Sequence, residues 1–238
     1  FKDDKEIIQT SIEIFKKSKF KKGELNISNI EIFNALIDRL SLALRWKERI
    51  KRHFCREAYF NQLLRKLSSD TDINFAEVEK DKKIAEKFRK QKPSTLYSGR
   101  TLKDILERFD LKNFKEPRSI ADKKSVKIIK NYLKISCSID NAPSTLNKFF
   151  KKNKLNLFIS DDYFPVVKTI NRKIKINFSS NINRSLEYYS GMVFNITVNK
   201  KGKKFSLISG GRYDGLLKNL GSKKNTTAVG AAIDMSLL

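Results

Sequence analysis

Residues 188–198 alternate along their whole length, and no other stretch constrains the fold as much. Met192, Phe194, Ile196 and Val198 fall on one face of a strand, and Tyr189, Gly191, Val193, Asn195 and Thr197 fall on the other. One face is greasy, the other smaller and more polar. A strand of this kind belongs to a sheet packed on helices on one side and open to a cleft on the other. Lys200-Lys201-Gly202-Lys203 then reads as a hairpin turn, with 205–208 as the returning antiparallel strand. Residues 216–220 read as a short helix closed by Gly221, and 228–233 as a small-residue run suited to a last strand.

The start of the chain fits the same frame. Asp4 can cap a helix over 5–18 in which Ile8, Ile12 and Phe15 share a stripe. Gly23 breaks that pattern, and 24–27 read as a short strand. Ser28 is the expected cap of a second helix, with Ile30, Phe33, Ile37 and Leu40 in phase. Between 41 and 152 nearly everything reads as helix, over 44–54, 57–68, 76–90, 101–109, 119–135 and 143–152. Pro93, Ser98-Gly99 and Pro117 punctuate these helices. Residues 155–159 form a short apolar run, Asp161 opens a turn or helix, and 173–178 alternate as a strand with Ile174, Ile176 and Phe178 on one face. The expected fold is α+β: an antiparallel sheet flanked by helices, its core divided between 1–40 and 153–238, with a helical insertion at 41–152. Phe1 is not a methionine, so a piece of a longer product lacking N-terminal elements is expected.

The formal charge is +25, from 51 Lys and Arg against 26 Asp and Glu. A polyanion such as tRNA is one reading. The lysines run through the whole chain, however, and Ile, Asn and Phe are abundant too, the set that AT-rich codons supply. Compositional drift is therefore preferred, and nucleic acid is not an expected partner. Arg45, Lys47, Arg49, Lys51, Arg52 and Arg56 cluster over 44–56, where a solvated helix face is preferred to a nucleic-acid module. Cys55 and Cys137 are far apart and imply no disulfide framework, which suits a reducing cytoplasm. His53 and Cys55 supply two of the four ligands a structural zinc needs, so no metal is expected. No apolar run is long enough for a membrane helix, and the charged start is no signal peptide.

Two segments carry chemistry. In 184–194, Arg184 is a fixed cation able to hold a carboxylate through two parallel hydrogen bonds. Tyr188 and Tyr189 offer phenols and ring faces, and if they lie on a strand only one, Tyr189 by the alternation, faces the cleft. Gly191 leaves room for a ligand against the backbone. Taken alone, the segment reads first as an aromatic core strand with a surface arginine and second as an amino-acid site. Gly210-Gly211-Arg212-Tyr213-Asp214-Gly215 reads alone as a tight turn between strand and helix, and its spacing fits neither a Walker loop nor a dinucleotide fingerprint.

In order and spacing, Arg-x-Leu-Glu-Tyr-Tyr-Ser-Gly, a hairpin, Gly-Gly-Arg-Tyr-Asp-Gly-Leu and a Gly-Ala-rich end resemble the catalytic domain of histidyl-tRNA synthetase. The resemblance is specific over 184–238 and weaker over 1–40, which looks like the helix, strand and helix after the class II second motif. The middle, at 45–52 and 99–108, resembles instead the regulatory subunits of ATP phosphoribosyltransferase, catalytically silent relatives of the synthetase. The departures point the same way. Where the synthetase's third motif ends Gly-Leu-Glu-Arg-Leu, with an arginine that holds ATP, this chain has Asp234-Met235-Ser236-Leu237-Leu238, with Leu237 at the arginine position. Gly191 stands where the synthetase has arginine, as in the regulatory subunits. Asn195 stands for a glutamate and is unusual in either family.

The resemblance implies a regulatory subunit with no catalytic residues and no cofactor. It would bind free L-histidine for feedback control of the first step of histidine biosynthesis. The implied partner is the short-form ATP phosphoribosyltransferase catalytic subunit, with the chain as a homodimer inside a hetero-oligomer in the cytoplasm. The implied histidine-binding residues are Arg184, Tyr188, Tyr189, Gly210, Gly211, Arg212 and Tyr213. Arg184 would take the carboxylate, Tyr189 and Tyr213 the imidazole side, and Gly210 and Gly211 the pocket floor, with Arg212 paired to Asp214. The alternative is a catalytic-domain fragment of histidyl-tRNA synthetase itself.

Overall fold

The structure, a computed structural model, describes residues 2–69, 75–91, 100–113, 122–164, 174–182, 188–224 and 226–237. Helix α1 (Lys2–Lys17) leads into β1 (Gly23–Asn29) and α2 (Ile30–Arg39). Asn29, not Ser28, caps α2: it is the last residue of β1, directly before Ile30, and its side chain accepts from the Glu31 amide. Both types cap well, and the strand's extra residue decides between them. Helices α3 (Leu44–Arg52), α4 (Glu57–Leu67), α5 (Phe75–Arg89), α6 (Leu102–Asn113), α7 (Lys123–Tyr132) and α8 (Ala142–Lys152) fill the middle. A three-residue strand, β2 (Ser136–Ser138), lies among them. It is too short to display alternation and was not foreseen. The end of the chain supplies β3 (Lys175–Ser179), β4 (Met192–Lys200), β5 (Lys203–Arg212), α9 (Leu216–Asn219) and β6 (Val229–Ile233).

The strands make one six-stranded sheet in the order β2-β3-β1-β4-β5-β6. All neighbours are antiparallel except β1 and β3. The fold is thus α+β, a sheet flanked by helices, as its alternation implied. One face carries Leu25, Ile27, Phe194, Ile196 and Ile208 against α1, whose Ile8, Ile12 and Phe15 are buried there. Gly23 admits the Phe15 ring; a Cβ there would come within 2.7 Å of it. The opposite face is polar. Asn177, Asn26, Asn195 and Ser209 stand side by side on β3, β1, β4 and β5. The Asn26 amide donates to Asn195 Oδ1 at 3.0 Å and to Thr197 at 3.3 Å, and Asn177 donates to Asn26 Oδ1 at 3.5 Å.

The middle helices join this core through rings. Phe33 of α2 stacks on Phe54 and meets Phe60 of α4 and Tyr132 of α7. Helix α6 begins with a capping box, in which Thr101 and Asp104 exchange backbone and side-chain hydrogen bonds. Residues 155–159 are not a strand. The Asn147 amide bonds both the N–H and the carbonyl of Ile159 and so takes the place of a neighbouring strand. The basic helix α3 is largely engaged within the fold: Lys51 pairs with Asp38 and Glu48, Lys47 reaches the Asp38 carbonyl, and Arg49 lies on Trp46 and donates to Tyr59. Among the described residues no helix is long and apolar enough to cross a membrane, and no group of three metal-binding side chains occurs.

The β4–β5 turn places Lys201 at φ 52° and Gly202 at φ 79°, a two-residue turn with both central residues left-handed. Asparagine tolerates that conformation better than lysine. Lys201→Asn is expected to raise stability by about 0.5 kcal/mol. Gly202→Val is expected to lower it by about 1–3 kcal/mol. Urea denaturation of the two variants checks both.

Candidate functional site

The two chemical segments meet at one end of the sheet. Ser190 clips them together: its N–H donates to the Arg212 carbonyl at 2.8 Å, and its hydroxyl accepts from the Asp214 amide at 3.1 Å. The Gly191 carbonyl accepts from the Ile30 amide, one of the unpaired donors at the start of α2. Asp214 accepts from the Ala228 amide, and Tyr213 donates its N–H to the Ala228 carbonyl. The loop after β5 is thus fastened to β6. Helix α9 then ends on Gly221 at φ 100°, where the Gly221 and Ser222 amides close onto the Lys218 and Leu217 carbonyls.

Arg212 is the hub of this arrangement. Its side chain is 15% exposed and holds Asp4, 2% exposed, at 2.8 Å, and Asp214 at 3.1 Å. Burial works against its charge, but Asp4 and then Asp214 outweigh it and hold the guanidinium above its usual range. The pairing with Asp214 is the one the resemblance implied. The Asp4 partner, 208 residues away, was foreseen only as a helix cap. Arg212 lies on the α1 face of β5, beneath the first helix, where the two carboxylates hold it.

The tyrosines lie on the other face. Tyr188 and Tyr189 ring centroids are 4.9 Å apart, Tyr188 and Tyr213 5.5 Å, and Tyr189 and Tyr213 6.5 Å. The premise that the pair lies on a strand is overturned, while Tyr189, the ring the alternation favoured, is the one of the two that lines a cavity. Strand β4 starts at Met192, so the pair precedes the strand and its side chains are not forced to opposite faces. Burial, then Tyr188, then Tyr213 push the Tyr189 phenol well above its usual value, so it remains a hydrogen-bond donor. Beneath it lies Gly211, where a Cβ would sit 2.8 Å from the Tyr189 ring and 2.7 Å from the Met192 carbonyl. Gly230 similarly admits the Tyr213 hydroxyl. Gly210 does not share this floor. Successive residues of a strand point to opposite faces, and Gly210 turns its open side to the buried Phe194 ring. Arg184 lies outside the described residues.

Tyr189 also borders a cavity of about 340 Å³. Its other walls include Asn34 of α2 and Glu48, Lys51 and Arg52 of α3. Both signs of charge and an aromatic wall suit a small zwitterion. The α3 residues were missed because that helix read as a solvated basic face; Glu48, an acid in the midst of it, was the available signal. At the far end of β6, Leu237 is 6% exposed within the core, and Ser236 folds back on Asp234 with bonds from its N–H and hydroxyl.

A family model for histidyl-tRNA synthetase matches residues 96–238. The histidine–tRNA ligase of Francisella tularensis subsp. novicida is 45% identical over 65 residues, 27% of this chain and 15% of the ligase. That of Ehrlichia ruminantium is 33% identical over 144 residues, 60% of this chain and 31% of the ligase. A solved histidyl-tRNA synthetase from Nostoc sp. PCC 7120 superposes with TM-score 0.54 at 18% identity, covering 98% of this chain and 44% of that one. A Bacillus halodurans protein described as an ATP phosphoribosyltransferase regulatory subunit/histidyl-tRNA synthetase gives 0.53 at 16%, covering 99% and 48%. At these identities the structural likeness speaks for the fold alone. The chain spans less than half the length of these two solved proteins.

Two substitutions test the architecture of the site. Asp4→Ala removes one partner of a buried guanidinium and is expected to destabilise by about 2–3 kcal/mol, Asp214 remaining. Gly211→Ala forces the Tyr189 ring off the strand at about 1–3 kcal/mol. Chemical denaturation measures both.

Proposed function

The chain belongs to the histidyl-tRNA synthetase family, and on that premise we propose that it is a non-catalytic regulatory subunit of ATP phosphoribosyltransferase that binds free histidine beside its tyrosine cluster. The observation that carries the reading is the contrast between the two ends of β6. Near its start, Gly230 is shaped around Tyr213, and the three tyrosines gather. Beyond its end, the position that by resemblance holds an ATP-binding arginine is a leucine packed into the core. A leucine offers a phosphate neither charge nor a hydrogen bond. An amino-acid site without that clamp suits a sensor of histidine better than an enzyme that activates it.

In this reading Arg184 takes the histidine carboxylate. Tyr189, held in its protonated form, donates to the imidazole or to a water beside it, and Tyr213 closes the ring side. Gly211 is the floor, and Arg212 supports the platform from the opposite face. Histidine controls the partner by favouring one of two assembly states, which requires a different affinity for each. The partner is the short-form catalytic subunit, and the chain acts as a homodimer within that hetero-oligomer.

The second reading, a catalytic-domain fragment of a histidyl-tRNA synthetase, draws on the relatives named histidine–tRNA ligase. Two assays on the full-length gene product separate them. Isothermal titration is expected to find saturable histidine binding, weakened at least about tenfold, or about 1.4 kcal/mol, by Tyr189→Ala with Tyr213→Ala or by Arg184→Ala. ATP–pyrophosphate exchange is expected at background. Robust exchange would make the chain a synthetase, and histidine binding unchanged in the tyrosine variant would remove the assigned site.

A further inference from the structure

A second concave site lies at the other end of the sheet. The tyrosines sit near the Asn29 end of β1 and this cavity at its Gly23 end, about 20 Å away at strand rise. Its volume is about 440 Å³, within the range of small-molecule sites. The loop before β1 brings Lys21 and Lys22, the start of β3 brings Lys175, and β5 brings Lys204. These residues are up to 183 positions apart in sequence, and only the pairing of β1 with β3 and β4, and of β4 with β5, gathers them.

Among the described residues, the cavity sets four lysines against one carboxylate. Glu24 holds Lys204 at 3.1 Å and Lys175 at 3.8 Å. Lys21 and Lys22 form no ion pair with the described residues. The floor is apolar: the Phe15 edge admitted by Gly23, with Ile174 and Val198 beside it. Just outside, the β4–β5 turn adds Lys200, Lys201 and Lys203, all exposed, and α1 ends on Lys16 and Lys17. Their summed field attracts anions toward the mouth.

We propose that this cavity binds a small anion carrying two or more phosphate groups. Several lysines converging on one concavity match a chain of phosphates, each ammonium acting as a point charge without the fixed fork an arginine imposes. With Glu24 offsetting one of the four charges, a ligand bearing more than one negative charge is needed to match the remainder. The apolar floor has room for a flat group carried by the same molecule. A concavity of this volume holds a compact ligand whole, whereas a polymer would run on past it. The site uses none of the tyrosines and stands apart from the histidine reading.

Isothermal titration of the full-length protein with inorganic tripolyphosphate, ATP and a short RNA oligomer tests it. Lys21→Gln with Lys22→Gln and Lys204→Gln serve as site variants, and exposed Lys152→Gln with Lys218→Gln as the control. All change surface lysines, and circular dichroism checks that each folds. Saturable 1:1 binding of tripolyphosphate or ATP is expected, weakened about tenfold or more in the site variants, the scale of one charged hydrogen bond, and unchanged in the control. ATP tighter than tripolyphosphate assigns the floor to a base, and equal affinities assign the site to the phosphate chain alone. No binding of either, equal losses in site and control variants, or binding of RNA alone would overturn the proposal.

Discussion

A buried guanidinium must be neutralised where it stands, and the arrangement around Arg212 follows from that requirement. Asp4 reaches it from the first helix and Asp214 from the loop after β5. The same Asp214 holds the Ala228 amide, and Ser190 bridges to the backbone on both sides. One charge therefore sets the seat of α1, the path of the loop that carries Tyr213 and the approach of the Tyr188–Tyr189 segment. The cluster on the far face of the sheet is positioned by an ion pair it never touches.

The sheet separates support from recognition. Its apolar face packs against α1, and its polar face bears the side chains that can meet a ligand. Gly210 and Gly211 show how closely the two are joined: adjacent residues of one strand, each bare for a different ring, Phe194 below and Tyr189 above. Family membership rests on residues 96–238, and within that span the tyrosines lie together while Leu237 belongs to the core.

Much of this was legible in the residues. Alternation in β4, the Lys-Gly turn, the stripe of Ile8, Ile12 and Phe15, and the helical run after residue 41 all report local periodicity, and local periodicity reads well. What escaped is long-range or finely balanced. The cap of α2 slipped by one because Ser28 and Asn29 are both competent and only strand pairing chooses between them. The strand was extended over the Tyr188–Tyr189 pair, past its start at Met192, because the alternation runs on beyond the paired residues. The pairing of Arg212 with Asp4 was missed because the two are 208 residues apart. The lysines read as scattered because their convergence near Gly23 exists only after the strands pair.

The row of amides across β3, β1 and β4 has a consequence for how the chain finds its fold. Shift any one of these strands by a single position and its asparagine swings into the oily layer against α1, while a leucine, isoleucine or phenylalanine takes its place among amides. Each stranded amide group would cost about 1–3 kcal/mol. Three short strands drawn from opposite ends of the chain would otherwise have several near-equivalent ways to align. The asparagines act as a key that admits one alignment and penalises its neighbours.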